Sequence, residues 1–109
     1  MNKDDISLAF IEFDHHSGGK KRPVLILGET SDYYDAFSIT SQFQTKSAQI
    51  QAVYFKIRQW QLSGLKKPSW VDTGHHLQIK KSTRIQVIGQ LQIDDIARLI
   101  LFLNSRNKR

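Results

Sequence analysis

Positions 23–27 read Pro-Val-Leu-Ile-Leu, a run that is short, continuous and wholly apolar. Such a run, bounded by polar residues, fits a buried strand. Proline at its start is acceptable, because it donates no hydrogen bond to a strand ladder. Immediately before it stand Gly18, Gly19, Lys20, Lys21 and Arg22. The segment Asp14–Lys21 reads as a loop whose flexible part is the glycine pair. A buried strand has no need of a cationic cluster at its mouth, whereas a basic loop at the lip of a core strand is a natural holder of phosphate.

The remaining elements follow from pattern. Ile6–Phe13 mixes Ile, Leu and Phe with small or polar residues and predicts a strand. Tyr34–Thr40 predicts another after a polar turn, and Val53, Phe55 and Ile57 alternate in a fourth short extended segment. RQWQLSGLKKP is irregular. Ser69–Val71 and Arg84–Ile88 predict two further strands with GHHLQIKKS between them. From Asp94 the period changes: Ile96, Leu99, Ile100 and Leu103 fall at i, i+3, i+4 and i+7, one face of a helix. Asp94 and Asp95 lie in its first turn and Arg106, Lys108 and Arg109 follow its last, as the helix dipole favours. The expected fold is mainly β, a small, strongly curved antiparallel barrel carrying a C-terminal helix. At 109 residues it is expected to be one domain, 1–109, with one core.

Sixteen Lys and Arg against ten acids give a net charge of +6. That surplus points to a polyanionic partner, nucleic acid or an acidic protein. Cysteine is absent, which excludes a disulfide scaffold, a thiol nucleophile and any Cys-based zinc site. It also fits a reducing cytoplasm. The N-terminal MNKDDISLAF carries acids where a signal peptide needs cations, and no stretch approaches the ~20 apolar residues of a membrane span. A soluble, cytoplasmic protein with no membrane association is expected. The His15–His16 and His75–His76 pairs have neither the helical i, i+4 spacing nor the alternate-strand spacing that converges two metal ligands, so no metal or other cofactor is expected.

Five segments, in order, resemble the MazF/PemK family of toxins from bacterial toxin–antitoxin systems. DDISLAFIEF is similar to the family's opening strand, and SGGKKRPVLIL to its glycine-containing loop ending in Arg-Pro and an aliphatic strand. FSITSQ resembles the strand that ends in a Thr-containing turn followed by Gln. GLKKPSWV and RIQVIGQLQIDDIARLI resemble the later strands and closing helix of the PemK-like branch. The resemblance implies an SH3-like, CcdB/MazF-type barrel that forms a homodimer. It implies metal-independent endoribonuclease activity on single-stranded RNA, and a cognate antitoxin whose acidic segment lies across the active groove.

Cleavage of that kind runs through attack of a 2′-hydroxyl on the adjacent phosphorus, leaving a 2′,3′-cyclic phosphate and a 5′-hydroxyl. It needs a base, an acid and positive charge around the phosphorane, and it needs RNA, since DNA lacks the 2′-hydroxyl. Arg22 is the leading catalytic candidate: its guanidinium is permanently charged and forked to grip phosphate oxygens, and Pro23 stiffens the chain beside it. The plainer reading is a surface arginine paired with Glu12 or Asp14. The resemblance implies that Thr40 contacts the scissile phosphate and that His16, six residues before Arg22, serves as acid or base. An ordinary histidine pKa near 6.5 suits proton transfer in either direction. Lys20 and Lys21 are expected to track the RNA backbone, and Ser41, Gln42 and His75 to add contacts. Trp60, Trp70, Tyr33 and Tyr34 could stack on bases, although aromatics in so small a chain more often serve a core or an interface.

The sequence departs from the family at one place. PemK-like members commonly carry an Arg-x-Asp pair after KPS, where this chain has Asp72 and Gly74. His16 and His75 replacing those groups, a local shift of alignment, or a crippled copy would each explain it. The alternative function is therefore a barrel that binds without cutting, a gyrase-directed poison or a binder of RNA or antitoxin.

Overall fold

The computed structural model describes residues 1–12 and 19–107. Six strands form one antiparallel sheet: β1 (Asp5–Glu12), β2 (Gly19–Glu29), β3 (Tyr33–Thr40), β4 (Tyr54–Ile57), β5 (Ser69–Lys80) and β6 (Ile85–Gln90). Their order across the sheet is β4-β5-β3-β2-β1-β6. One helical turn, α1 (Ala48–Gln51), precedes β4, and the helix α2 (Ile93–Asn107) ends the chain. The protein is mainly β with a C-terminal helix, the expected class of fold.

The apolar run of β2 is explained by burial on both faces. Leu25 points into a main core with Ile6, Ile39, Phe55, Ile57, Val71, Leu91 and Leu99. Its neighbours Val24 and Ile26 point the other way, into a smaller core with Ala9, Ala36 and Ile79. A strand covered on both sides has no polar positions to alternate with.

The sheet curls at three register shifts, Ile6/Ser7 in β1, Ile26/Gly28 in β2 and Phe37/Ser38 in β3. Irregularities of this kind bend a strand and increase its twist. The curl brings the segment after β4 onto β6 in direct backbone contact. A Cβ on Gly89 would stand 2.1 Å from the Ser63 carbonyl oxygen, and one on Gly64 would stand 2.3 Å from the Ile88 carbonyl oxygen. Gly64 also has a φ of +88°, the region glycine enters without steric cost.

Helix α2 is held to β4 by Asp95, which is buried and accepts hydrogen bonds from the Arg58 and Gln59 amides at 3.2 and 2.9 Å and from Arg98 Nη1 at 2.6 Å. Arg98 in turn lies over the Phe55 ring, 4.8 Å from its centroid. Ile96, Leu99 and Leu103 face the core as their spacing predicts, but Phe102 joins them in place of Ile100, which is half exposed. The core-facing stripe has rotated toward the Phe55 ring, against which Phe102 packs edge-on at 5.6 Å.

Two boundaries differ from the sequence expectation. Lys20 and Lys21 belong to β2, not to the loop: they pair with Ile11 and Phe10, so the hairpin extends past the proline. GHHLQIK is the second half of β5, not a connection. Pairing with β3 jumps from Phe37↔His76 to Ser38↔Asp72, leaving Thr73, Gly74 and His75 in a bulge that interrupts the alternation.

Candidate functional site

The paired part of β2 and β3 ends at Val24 and Ser38. Two residues further along each strand, with the same pleat direction, come Arg22 and Thr40. There the strands part, and the opening forms one wall and the floor of a groove of about 390 Å³. Arg22, Thr40, Ser41 and Gln42, four of the residues singled out from sequence, all line it. The floor is apolar: Leu8, Pro23 and Ile88, with Ile39 and Leu65 shared with the main core. Core residues in the floor keep the walls from shifting independently.

Thr40 is held by a local turn. Its Oγ1 accepts the Gln42 amide at 3.0 Å. A hydroxyl has one donor and two acceptor positions, so this bond fixes the oxygen and leaves the O–H to donate to a bound oxygen.

The facing wall comes from the segment that sequence reasoning reads as irregular. Gly64, Leu65, Lys66, Lys67 and Ser69 line the groove from the other side. Leu65 is buried in the core and its amide binds the Trp60 carbonyl at 3.0 Å. Ser69 Oγ donates to the Lys67 carbonyl at 2.8 Å. The groove thus has three cations, Arg22, Lys66 and Lys67, and no carboxylate among its described lining residues. A signal for the second wall did exist in the sequence. GLKKPSWV repeats the order glycine, cations, proline, apolar strand that marks GGKKRPVLIL.

Other expected residues lie elsewhere. Lys21 has the opposite pleat to Arg22 and lines a separate cleft with Phe10, Lys80 and Arg84. Lys20 is exposed on β2 and is not among the lining residues of either cavity. His75 is exposed in the β5 bulge and does not line the groove; Thr40 pairs with Trp70, five residues earlier in β5. His76 lies 3.7 Å from Asp35 and edge-on to Phe37. His16 lies outside the described residues. Among the aromatics, Trp60 packs on the main core and Tyr34 on the smaller one. Trp70 stacks on Phe43 with centroids 4.7 Å apart.

Neither Asp72 nor Gly74 lines the groove. Asp72 Oδ1 accepts the Gly74 amide at 3.0 Å within the bulge. Burial, and secondly the charge of Asp72, pushes the Tyr54 phenol up from its ordinary range. Among the described residues no three His, Cys, Asp or Glu are grouped to hold a metal ion, and no described helix is long and apolar enough to cross a membrane.

The small curved sheet carries, at the parting of two strands, a cationic groove with no carboxylate among its described lining residues. Comparison with protein families gives the class a name: the chain matches the PemK-like, MazF-like toxins of type II toxin–antitoxin systems over residues 5–104, and it belongs to that family. Comparison with curated proteins finds no match.

Proposed function

We propose that this toxin is a metal-independent endoribonuclease that cleaves single-stranded RNA by 2′-hydroxyl attack. The observation that carries the reading is the convergence of Arg22, Thr40, Ser41 and Gln42 on one groove without a carboxylate among its described lining residues. In this mechanism the scissile phosphate lies between Arg22 and Thr40. The 2′-oxygen bonds to phosphorus as its proton leaves, the P–O5′ bond breaks, and the leaving oxygen takes up a proton. Arg22 and the Thr40 hydroxyl stabilise the charge that collects on the non-bridging oxygens, an effect strongest in a rigid, partly dehydrated slot. His16 is proposed as the proton-transfer group. Ser41 and Gln42 contact sugar or base, and Lys20 and Lys21 contribute diffuse attraction from outside the groove.

The protein is proposed to act in the cytoplasm, as a homodimer, under control of a cognate antitoxin. A monomer in light scattering at roughly tens of micromolar, far above stable-dimer constants, would remove the dimer from this picture.

A second reading, a barrel that binds RNA or antitoxin without cutting, draws on one feature. The Arg-x-Asp positions hold Asp72 and Gly74 and lie off the groove, whose described lining residues include no histidine. Incubating purified protein with single-stranded RNA in excess EDTA separates the two. Discrete fragments support the nuclease; intact RNA that is nevertheless retained in a shift assay supports the binder.

A further inference from the structure

We infer that Lys66 and Lys67 form a second phosphate-binding wall, holding the RNA backbone across the groove from Arg22. This rests on the RNA reading above and adds to it two residues that the sequence reading left without a role. Three observations carry it.

The first is position. Both lysines line the groove that contains Arg22 and Thr40, on the wall contributed by the segment after β4. A chain lying in the groove would pass between Arg22 on one side and two ammonium groups on the other. The second is rigidity. The backbone at Lys67 is fixed through its carbonyl by Ser69 Oγ at 2.8 Å, and Leu65 anchors the other side in the core. Gly64, one residue earlier, is wedged against the Ile88 carbonyl, where a Cβ would come within 2.3 Å. These lysines therefore extend from an anchored ridge, and only their side chains need ordering on binding. The third is charge. No Asp or Glu appears among the described lining residues, to which Lys66 and Lys67 add a positive field. Such a field draws in a polyanion and releases its condensed counterions.

The same geometry accounts for the unusual residues at positions 72 and 74. The family's arginine would bring a second cation to the groove, and Asp72 cannot supply it. Lys66 and Lys67 bring that charge in from a different segment. As point charges with flexible stems they suit holding flanking phosphates, while the planar fork of Arg22 grips the one that reacts.

The test uses Lys66→Ala, Lys67→Ala and the double variant, checked for an unchanged unfolding midpoint. Binding of a 2′-O-methyl single-stranded oligonucleotide, which cannot be cut by 2′-hydroxyl attack, is measured across salt. Losing two single-strand phosphate contacts should lower the magnitude of the log K against log salt slope by about 1.4, which at 0.15 M salt is about a tenfold loss of affinity. The double variant Lys80→Ala/Arg84→Ala removes equal charge from the separate cleft and should leave the slope unchanged. If the parent protein binds and the Lys66/Lys67 double variant keeps the parent slope and affinity, the second wall is wrong while the RNA reading stands. The second wall is also wrong if the Lys80/Arg84 control lowers the slope by the same amount. If the parent itself binds no RNA, both readings fall together.

Discussion

Gly89 connects the stability of the barrel to the groove, and Gly89→Ala makes that connection measurable. The new Cβ would lie 2.1 Å from the Ser63 carbonyl oxygen and 2.6 Å from its carbon. Contacts under 3.0 Å essentially do not occur for real Cβ atoms, so the two backbones must separate by roughly 0.9 Å. Ser63 cannot yield alone. It is fully buried, its amide bonds the Gln59 and Trp60 carbonyls, and its hydroxyl donates to the Gln59 carbonyl at 2.9 Å. The relief must pass along the chain to Gly64–Lys67, the wall opposite Arg22. Overpacking of this kind costs about 1–3 kcal/mol, which a 109-residue β protein of ordinary stability survives. A misplacement near 1 Å in a preorganised site can cost about 10²-fold in rate. The expected outcome is a folded variant with a lowered urea midpoint and RNA cleavage reduced about a hundredfold per folded molecule. Parent-like cleavage at a lowered midpoint would show that the Lys66–Lys67 wall is not coupled to the barrel closure in this way.

Asp95→Ala removes the acceptor of two backbone amides and the buried partner of Arg98, so a loss of about 3–5 kcal/mol is expected in chemical unfolding; a loss under 1 kcal/mol would refute the anchoring role of this side chain. Asp4 has a positive φ of 71°, and burial first, with Asp5 adding to it and Lys3 opposing, raises its carboxyl above the ordinary value of 3.8. Because the folded pKa is raised, ionisation works against the fold, and stability present below pH 3.8 declines as pH rises through the folded value. Asp4→Asn, which tolerates the left-handed backbone, should therefore unfold at higher urea than the parent at neutral pH, with the difference shrinking toward pH 3; a difference independent of pH would exclude the charge as its cause. Arg22→Lys should retain the fold and lose most of the cleavage rate, about 10²–10³-fold for a preorganised group, because an ammonium lacks the bidentate geometry; kinetics like the parent's would reduce Arg22 to one charge among several.

The parts of the fold that can be read from sequence are those with a clean period or a clean lack of one. Val24–Leu27 shows no alternation because both faces of β2 are covered, and α2 shows a helical stripe because one side lies on β4 and the core. Reading fails where geometry departs from period. The bulge at Thr73–His75 divides β5 into two pieces that no alternation can join, so its second half passes for a loop. Lys20 and Lys21 look like loop because they follow two glycines, yet their pairing to Phe10 and Ile11 carries β2 past the proline. At the groove, residues flanking one strand pair are accessible to local reasoning, since Arg22 and Thr40 stand just past the last residues paired between β2 and β3. Lys66 and Lys67 are not, because only closure of the barrel through Gly64 and Gly89 sets them opposite Arg22. The glycine–cations–proline order of GLKKPSWV marks a second cationic lip, but nothing in the neighbouring residues says which surface it faces.

The most direct test of the central claim is a comparison of two oligonucleotides in excess EDTA. The cleaved linkage is first located in an RNA of the parent sequence; the second oligonucleotide carries a single 2′-deoxy nucleotide on the 5′ side of that linkage and is otherwise identical. Attack by the 2′-hydroxyl requires the RNA to be cut, with a 2′,3′-cyclic phosphate and a 5′-hydroxyl at the new ends, and requires the substituted strand to bind yet stay intact at that linkage. Equal cleavage of both strands at that linkage would contradict the mechanism.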